Sequence, residues 1–148
     1  MAATIVTHDP IFGWFAYGGV LSENGNNLSV SPRDGLRRRF DVVIPTVTSP
    51  VADDTRRLKI ELDRDGFAAT SLIALDKTAS RIAFTVENRT ATPHTTGLRL
   101  SFPINATYTL LREGRSVALS RTDDSDYPWS AAIVVNAAAT RIELIRNR

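Results

Sequence analysis

Catalysis needs nucleophiles, bases, paired carboxylates or metal ligands at workable spacing, and this chain offers few of them. Its 148 residues include no cysteine and two histidines, His8 and His94. That excludes thiolate nucleophiles, disulfides and thiolate zinc sites in one step. His94 lies in Thr92-Pro-His-Thr-Thr96 and is expected to be a solvent-exposed loop residue. As a general base it would need an orienting partner, and none is visible near it in sequence. No G-x-S-x-G, phosphate-loop, G-x-G-x-x-G or H-E-x-x-H pattern occurs.

Two acidic stretches invite a test. Glu61-Leu-Asp63-Arg-Asp65-Gly66 imitates the opening of a calcium loop, but the twelfth place, which should be a bidentate Glu, is Leu72. The stretch therefore reads as a tight turn. Asp123-Asp124-Ser125-Asp126 is denser, and its expected state is solvated. A carboxylate pair acting on a glycosidic bond needs two groups about 5–10 Å apart in a cleft. Asp126, close to Tyr127 and Trp129, is the best-placed single candidate. No catalytic residue, metal or other cofactor is assigned.

The aromatic residues carry more. Trp14, Phe15 and Tyr17 precede Gly18-Gly19, and Tyr127-Pro128-Trp129 forms a second group. Such side chains either fill a core or an interdomain face, or stack on sugar rings. Packing is the favoured reading; sugar contact makes Trp14, Tyr17, Asp126, Tyr127 and Trp129 the candidate ligand-binding residues. In Arg37-Arg38-Arg39, strand geometry sends Arg38 one way and its neighbours the other. Arg38 then shares a face with Leu36 and Phe40 and needs a carboxylate partner if buried, with Asp34 or Asp9 in reach. Asp34, Arg37, Arg38 and Arg39 are accordingly expected to form a structural ion pair or a docking contact.

The elements that must hold these residues are strands. Leu58, Ile60 and Leu62 alternate with charged residues, as do Ile82, Phe84 and Val86, and Leu98, Leu100 and Phe102. Asn24-Gly25-Asn26 and Glu113-Gly114-Arg115 mark hairpins. Phe67 to Leu75 is apolar on both faces and predicts one central strand. Ile11 to Tyr17 fits a helical turn or a strand. The count is about ten or eleven strands at roughly 8–12-residue spacing, which predicts an all-β, antiparallel sandwich in a single domain over 1–148.

Composition agrees: 43% hydrophobic and 23% charged residues are globular values. The net charge of +2 is too small and too spread to argue for nucleic acid. No window reaches the length of a membrane span, and the start lacks a signal-peptide pattern. Sequons stand at Asn27, Asn88 and Asn105.

Asp9-Pro-Ile-Phe-Gly-Trp-Phe-Ala-Tyr-Gly-Gly19 and Ser31-Pro-Arg-Asp-Gly-Leu-Arg-Arg-Arg39 together resemble the β-sandwich part of large secreted glycosidase-like proteins of bacteria and fungi. The other part of those proteins is an (α/α)-toroid. The specific match covers roughly the stretch from Asp9 to Arg39, and the remainder matches only in strand pattern. The resemblance implies a non-catalytic accessory domain, excised from an exported parent that is a glycoside hydrolase and packed on its catalytic domain. It carries over no catalytic residue. The alternative is a stand-alone module that binds a second copy of itself, a protein or a glycan through its aromatic face.

Overall fold

The structure is a computed structural model, and it describes residues 3–32, 38–44, 56–68 and 70–148. The first strands are β1 (Ala3–Asp9), β2 (Gly13–Tyr17), β3 (Gly19–Asn24), β4 (Asn27–Pro32) and β5 (Arg39–Val43). Next come β6 (Arg57–Leu62), β7 (Gly66–Phe67), β8 (Ile73–Asp76), β9 (Arg81–Asn88) and β10 (His94–Ser101). The last are β11 (Tyr108–Arg112), β12 (Arg115–Val117), β13 (Ser120–Arg121), β14 (Trp129–Val135) and β15 (Ala138–Arg146).

They form the expected sandwich of two sheets. Sheet A runs β13-β14-β10-β6-β5-β1-β2, and sheet B runs β12-β11-β15-β9-β8-β4-β3 with β7 beside β9. Neighbours are antiparallel except β1, which lies parallel to β5. Inward parity is that of the sequence: Phe40, Val42, Leu58, Ile60, Leu98 and Leu100 from sheet A meet Leu28, Val30, Ile82, Phe84 and Leu144 from sheet B. Phe67 bridges Phe40 and Phe84 at ring distances of 6.0 and 5.1 Å. Such pairs add about 0.5–1.5 kcal/mol beyond the apolar area they bury. Phe102, stacked between Tyr108 and Trp129, closes one end.

Among the described residues fifteen strands replace the expected ten or eleven, chiefly because runs break. The segment from Phe67 to Leu75 is two strands, not one. Phe67 faces Val86 and Ala74 faces Ala83, so seven steps on one side span three on the other, and the surplus loops out. Polar Thr70-Ser71 and the exposed Leu72 lie in that excursion. Ile11 to Tyr17 resolves as a turn and a strand, β2.

At each lateral edge the chain steps from one sheet to the other. Gly18, at φ 67°, carries β2 of sheet A into β3 of sheet B. There the backbones approach so closely that a Cβ on Gly19 would stand 2.8 Å from the Ser31 carbonyl oxygen. This is the reason for glycine at that point. At the opposite edge residues 118–119 carry β12 of sheet B into β13 of sheet A.

Candidate functional site

The inward parity of Leu98 and Leu100 runs back through Thr96 to His94, which opens β10. His94 is therefore not the exposed loop residue its neighbours in sequence predict; its side chain is 13% exposed. The β6–β7 turn brings Asp65, at φ 66°, against it. His94 Nε2 lies 2.8 Å from both Asp65 oxygens. A carboxylate can only accept, so Nε2 carries the hydrogen. His94 Nδ1 faces Thr90 Oγ1 at 3.3 Å.

Hydroxyl, imidazole and carboxylate in a row form the outline of a nucleophile, its base and an orienting acid. The distances decide against that use. Thr90 Oγ1 has Asn88 Oδ1 at 2.7 Å and the Thr92 carbonyl at 2.9 Å as acceptors, both closer than His94. Asn88, nearly fully buried, donates from Nδ2 to the Thr92 and Asn136 carbonyls at 3.0 Å each. The cluster is a clasp joining the β6–β7 turn, the β9–β10 loop and the start of β10. It also closes the Asn88 sequon in the folded chain, because both ends of that amide are engaged. Asn27 and Asn105 are exposed.

The outer face of sheet A holds a second polar group. Asp41 is fully buried, bound by Arg39 at 3.2 and 2.9 Å and approached by Arg57 at 3.7 Å. Glu61 pairs with Arg99. The loop before β14 folds Tyr127 over this layer, with Lys59 Nζ 4.9 Å and the Arg99 guanidinium carbon 5.1 Å from its ring centre. Burial, and then a hydrogen bond with Glu61, push the Tyr127 hydroxyl pKa well up. These ions bind one another, as a charge layer under a lid must.

The sequence-derived candidates are scattered. Trp14 is half-buried against the core beside His8 at 5.2 Å. Tyr17 is 60% exposed and meets Phe15 edge to face at 5.1 Å. Trp129 is half-buried under the Arg121 guanidinium at 4.8 Å. Strands β2 and β14 are five steps apart in sheet A, about 24 Å at the usual strand spacing. The two aromatic groups therefore make no common platform.

Asp126 is exposed, and its backbone N–H donates to Asp124. Among the described residues no three His, Asp or Glu converge as a metal site. Asp34, Arg37 and Leu36 lie outside the described residues. Arg38 is exposed and donates to the Asp65 carbonyl at 3.0 Å. Asp9 instead accepts from the Ile11 and Phe12 N–H groups at 2.7 and 3.0 Å. Those bonds, Phe12 first, hold its carboxyl below the usual range. Arg39 pairs instead with Asp41, two residues along the same strand, at 2.9 Å.

The described surface also has open depressions. One, of about 400 Å³, lies on sheet B around Ala74, Asp76, Arg81 and Arg141. Its carboxylate is engaged by the Thr78 and Ser80 hydroxyls and the Arg81 N–H. Another, of about 570 Å³, lies on sheet A around Asp63, Gly97, Arg99 and Ser130. No protein-family model, curated protein or solved structure matches the chain.

Proposed function

We propose that this chain is a non-catalytic accessory β-sandwich of a carbohydrate-active, glycoside-hydrolase-like protein. In this reading it works by docking its β2/β3 edge against a neighbouring domain, with glycan contact as a secondary role. The observation that carries the docking half is the asymmetry of the two edges. Ile11 and Phe12 are 84% and 85% exposed, and Tyr17 and Val20 are 60% and 58% exposed, all along the β2-Gly18-β3 passage. The opposite edge presents Arg115, Ser116, Ser120 and Arg121 to solvent. Edge strands are normally blunted by charge, and clustered exposed apolar residues mark contact surfaces. The carbohydrate half rests on the resemblance across Asp9–Arg39. The engagement of Asp65, His94, Asp41, Glu61 and Asp76 in structural bonds fits a non-catalytic role.

The test uses the purified chain and a Phe12→Ser/Tyr17→Ser double variant. Expected are no hydrolysis of a reporter-glycoside panel, a monomer in sedimentation, and binding of an apolar dye that the double variant lowers at an unchanged thermal midpoint. Hydrolysis lost in His94→Gln would instead make the chain an enzyme. A stable dimer dissolved by the double variant would identify the self-associating module. Dye binding unmoved by the substitutions would remove the docking edge.

A further inference from the structure

Sheet A loses its outermost strand partway along. β13 pairs only Ser120 and Arg121 with Ser130 and Trp129, and beyond that point Val117, at the end of β12, and Ala118, in the passage between the sheets, wall the gap. The result is the open notch of about 570 Å³. On its floor Gly97 faces Ala132, and beside them Arg99 faces Ser130. Small side chains leave the space unfilled, and two fixed charges border it.

Asp63 is one of them. Its Oδ1 accepts from the Gly97 N–H at 2.8 Å and from the buried Thr96 hydroxyl at 2.9 Å. Its Oδ2 overhangs the floor, 2.5 Å from where a Gly97 Cβ would stand, so only glycine at 97 leaves the carboxylate in place. Arg99 is the other, oriented by Glu61 and by the Tyr127 ring. Both groups are set before any ligand arrives, which lowers the ordering penalty of binding.

We propose that the notch binds a neutral hydroxylated ring, a monosaccharide unit of a glycan. A fixed carboxylate accepts from one or both hydroxyls of a vicinal diol, and a fixed guanidinium donates to hydroxyl or ring oxygens. Ser120 and Ser130 serve as either, and Ala132 offers apolar contact to a ring C–H face. Arg99 is already paired with Glu61 and Asp63 is acidic, so the notch has no surplus positive charge to hold an anion. The inference rests on the glycan-contact half of the reading above. The docking edge lies at the far side of sheet A, so the two surfaces fail separately.

The test is a titration of the isotope-labelled chain, followed through its amide signals, with neutral mono- and disaccharides and with glycine and glucuronate for comparison. At least one neutral sugar should shift Gly97, Arg99, Ser130 and Ala132 saturably. Asp63→Asn, which retains an acceptor for the Gly97 N–H, should weaken binding about tenfold or more. Ala132→Phe, filling the floor from an exposed position, should abolish it, while Phe12→Ser/Tyr17→Ser leaves it unchanged. No response to any sugar overturns the proposal. So does a response to glycine or glucuronate alone, or sugar binding that survives Ala132→Phe.

Discussion

Tyr108 joins packing and hydrogen bonding at one atom. Its hydroxyl donates to the Ala79 carbonyl at 2.6 Å in the buried end of the sandwich. Tyr108→Phe leaves that carbonyl unsatisfied and should cost about 1–3 kcal/mol, read as a lowered urea midpoint with an unchanged slope. Burial also pushes the Tyr108 pKa from 10.0 to about 12. A raised folded-state value means stability that is whole below pH 10 and is lost as pH rises through about 12. Stability measured across that window should fall in the wild type, and less steeply in Tyr108→Phe. Gly97→Ala meets Asp63 Oδ2 at 2.5 Å and should destabilise by about 1–3 kcal/mol. A thermal midpoint equal to wild type would show that the carboxylate moves aside freely.

Acid stability follows the same logic with the opposite sign. Burial pushes the Asp76 carboxyl pKa up, but hydrogen bonds from Ser80, Thr78 and the Arg81 N–H together outweigh it, and the net shift is downward. Its contribution is complete above the unfolded value near 3.8 and is lost as pH falls through the lower folded value. Asp76→Ala should remove part of the acid-unfolding slope below pH 4 (about the carboxylate range). An unchanged acid limb would assign that slope to other groups.

Among the elements, strands with one wet face were legible in the sequence. Leu58, Ile60 and Leu62 could point only one way while Arg57, Lys59 and Glu61 pointed the other, and the Asn24-Gly25-Asn26 hairpin needed no tertiary information. Three features were not legible. The break between β7 and β8 depends on β9 accepting both pieces at different heights. The parallel pairing of β1 with β5 joins strands with three others between them. The clasp unites Asp65 and His94, 29 residues apart, and local sequence cannot report such a meeting. One sign was available: Thr96 and His94 keep the phase of Leu98 and Leu100, so extending the alternation backward would have put the imidazole at the sandwich end. Whether the two aromatic groups meet was also not legible, because identity marks a residue as large, while strand order decides which large residues meet. Within β15, Leu144 is fully buried, and Leu144→Ala should cost about 2–5 kcal/mol. Leu72→Ser, at an exposed position of the β7–β8 excursion, should stay within about 0.5 kcal/mol.

For the whole molecule, the two sheet-to-sheet passages make the sandwich nearly a flattened barrel, continuous at both sides through the backbone. Its lateral surfaces nonetheless differ in character, polar at β12/β13 and apolar at β2/β3. Val20→Lys should reduce concentration-dependent aggregation at an unchanged thermal midpoint, since Val20 is exposed on an edge strand. Aggregation that persists would direct attention to another surface.

The place of β15 in sheet B has a consequence for synthesis. Among the described strands it comes after all the others and is the longest, yet it sits between β9 and β11 and pairs with both. Until it leaves the ribosome, β9 and β11 have no common neighbour, and the inner faces of Ile82, Phe84 and Leu110 lack the strand that covers them. A nascent chain therefore carries an open sheet until β15 has emerged and paired with both neighbours. Any cell making this protein must keep that half-built sheet from meeting another one.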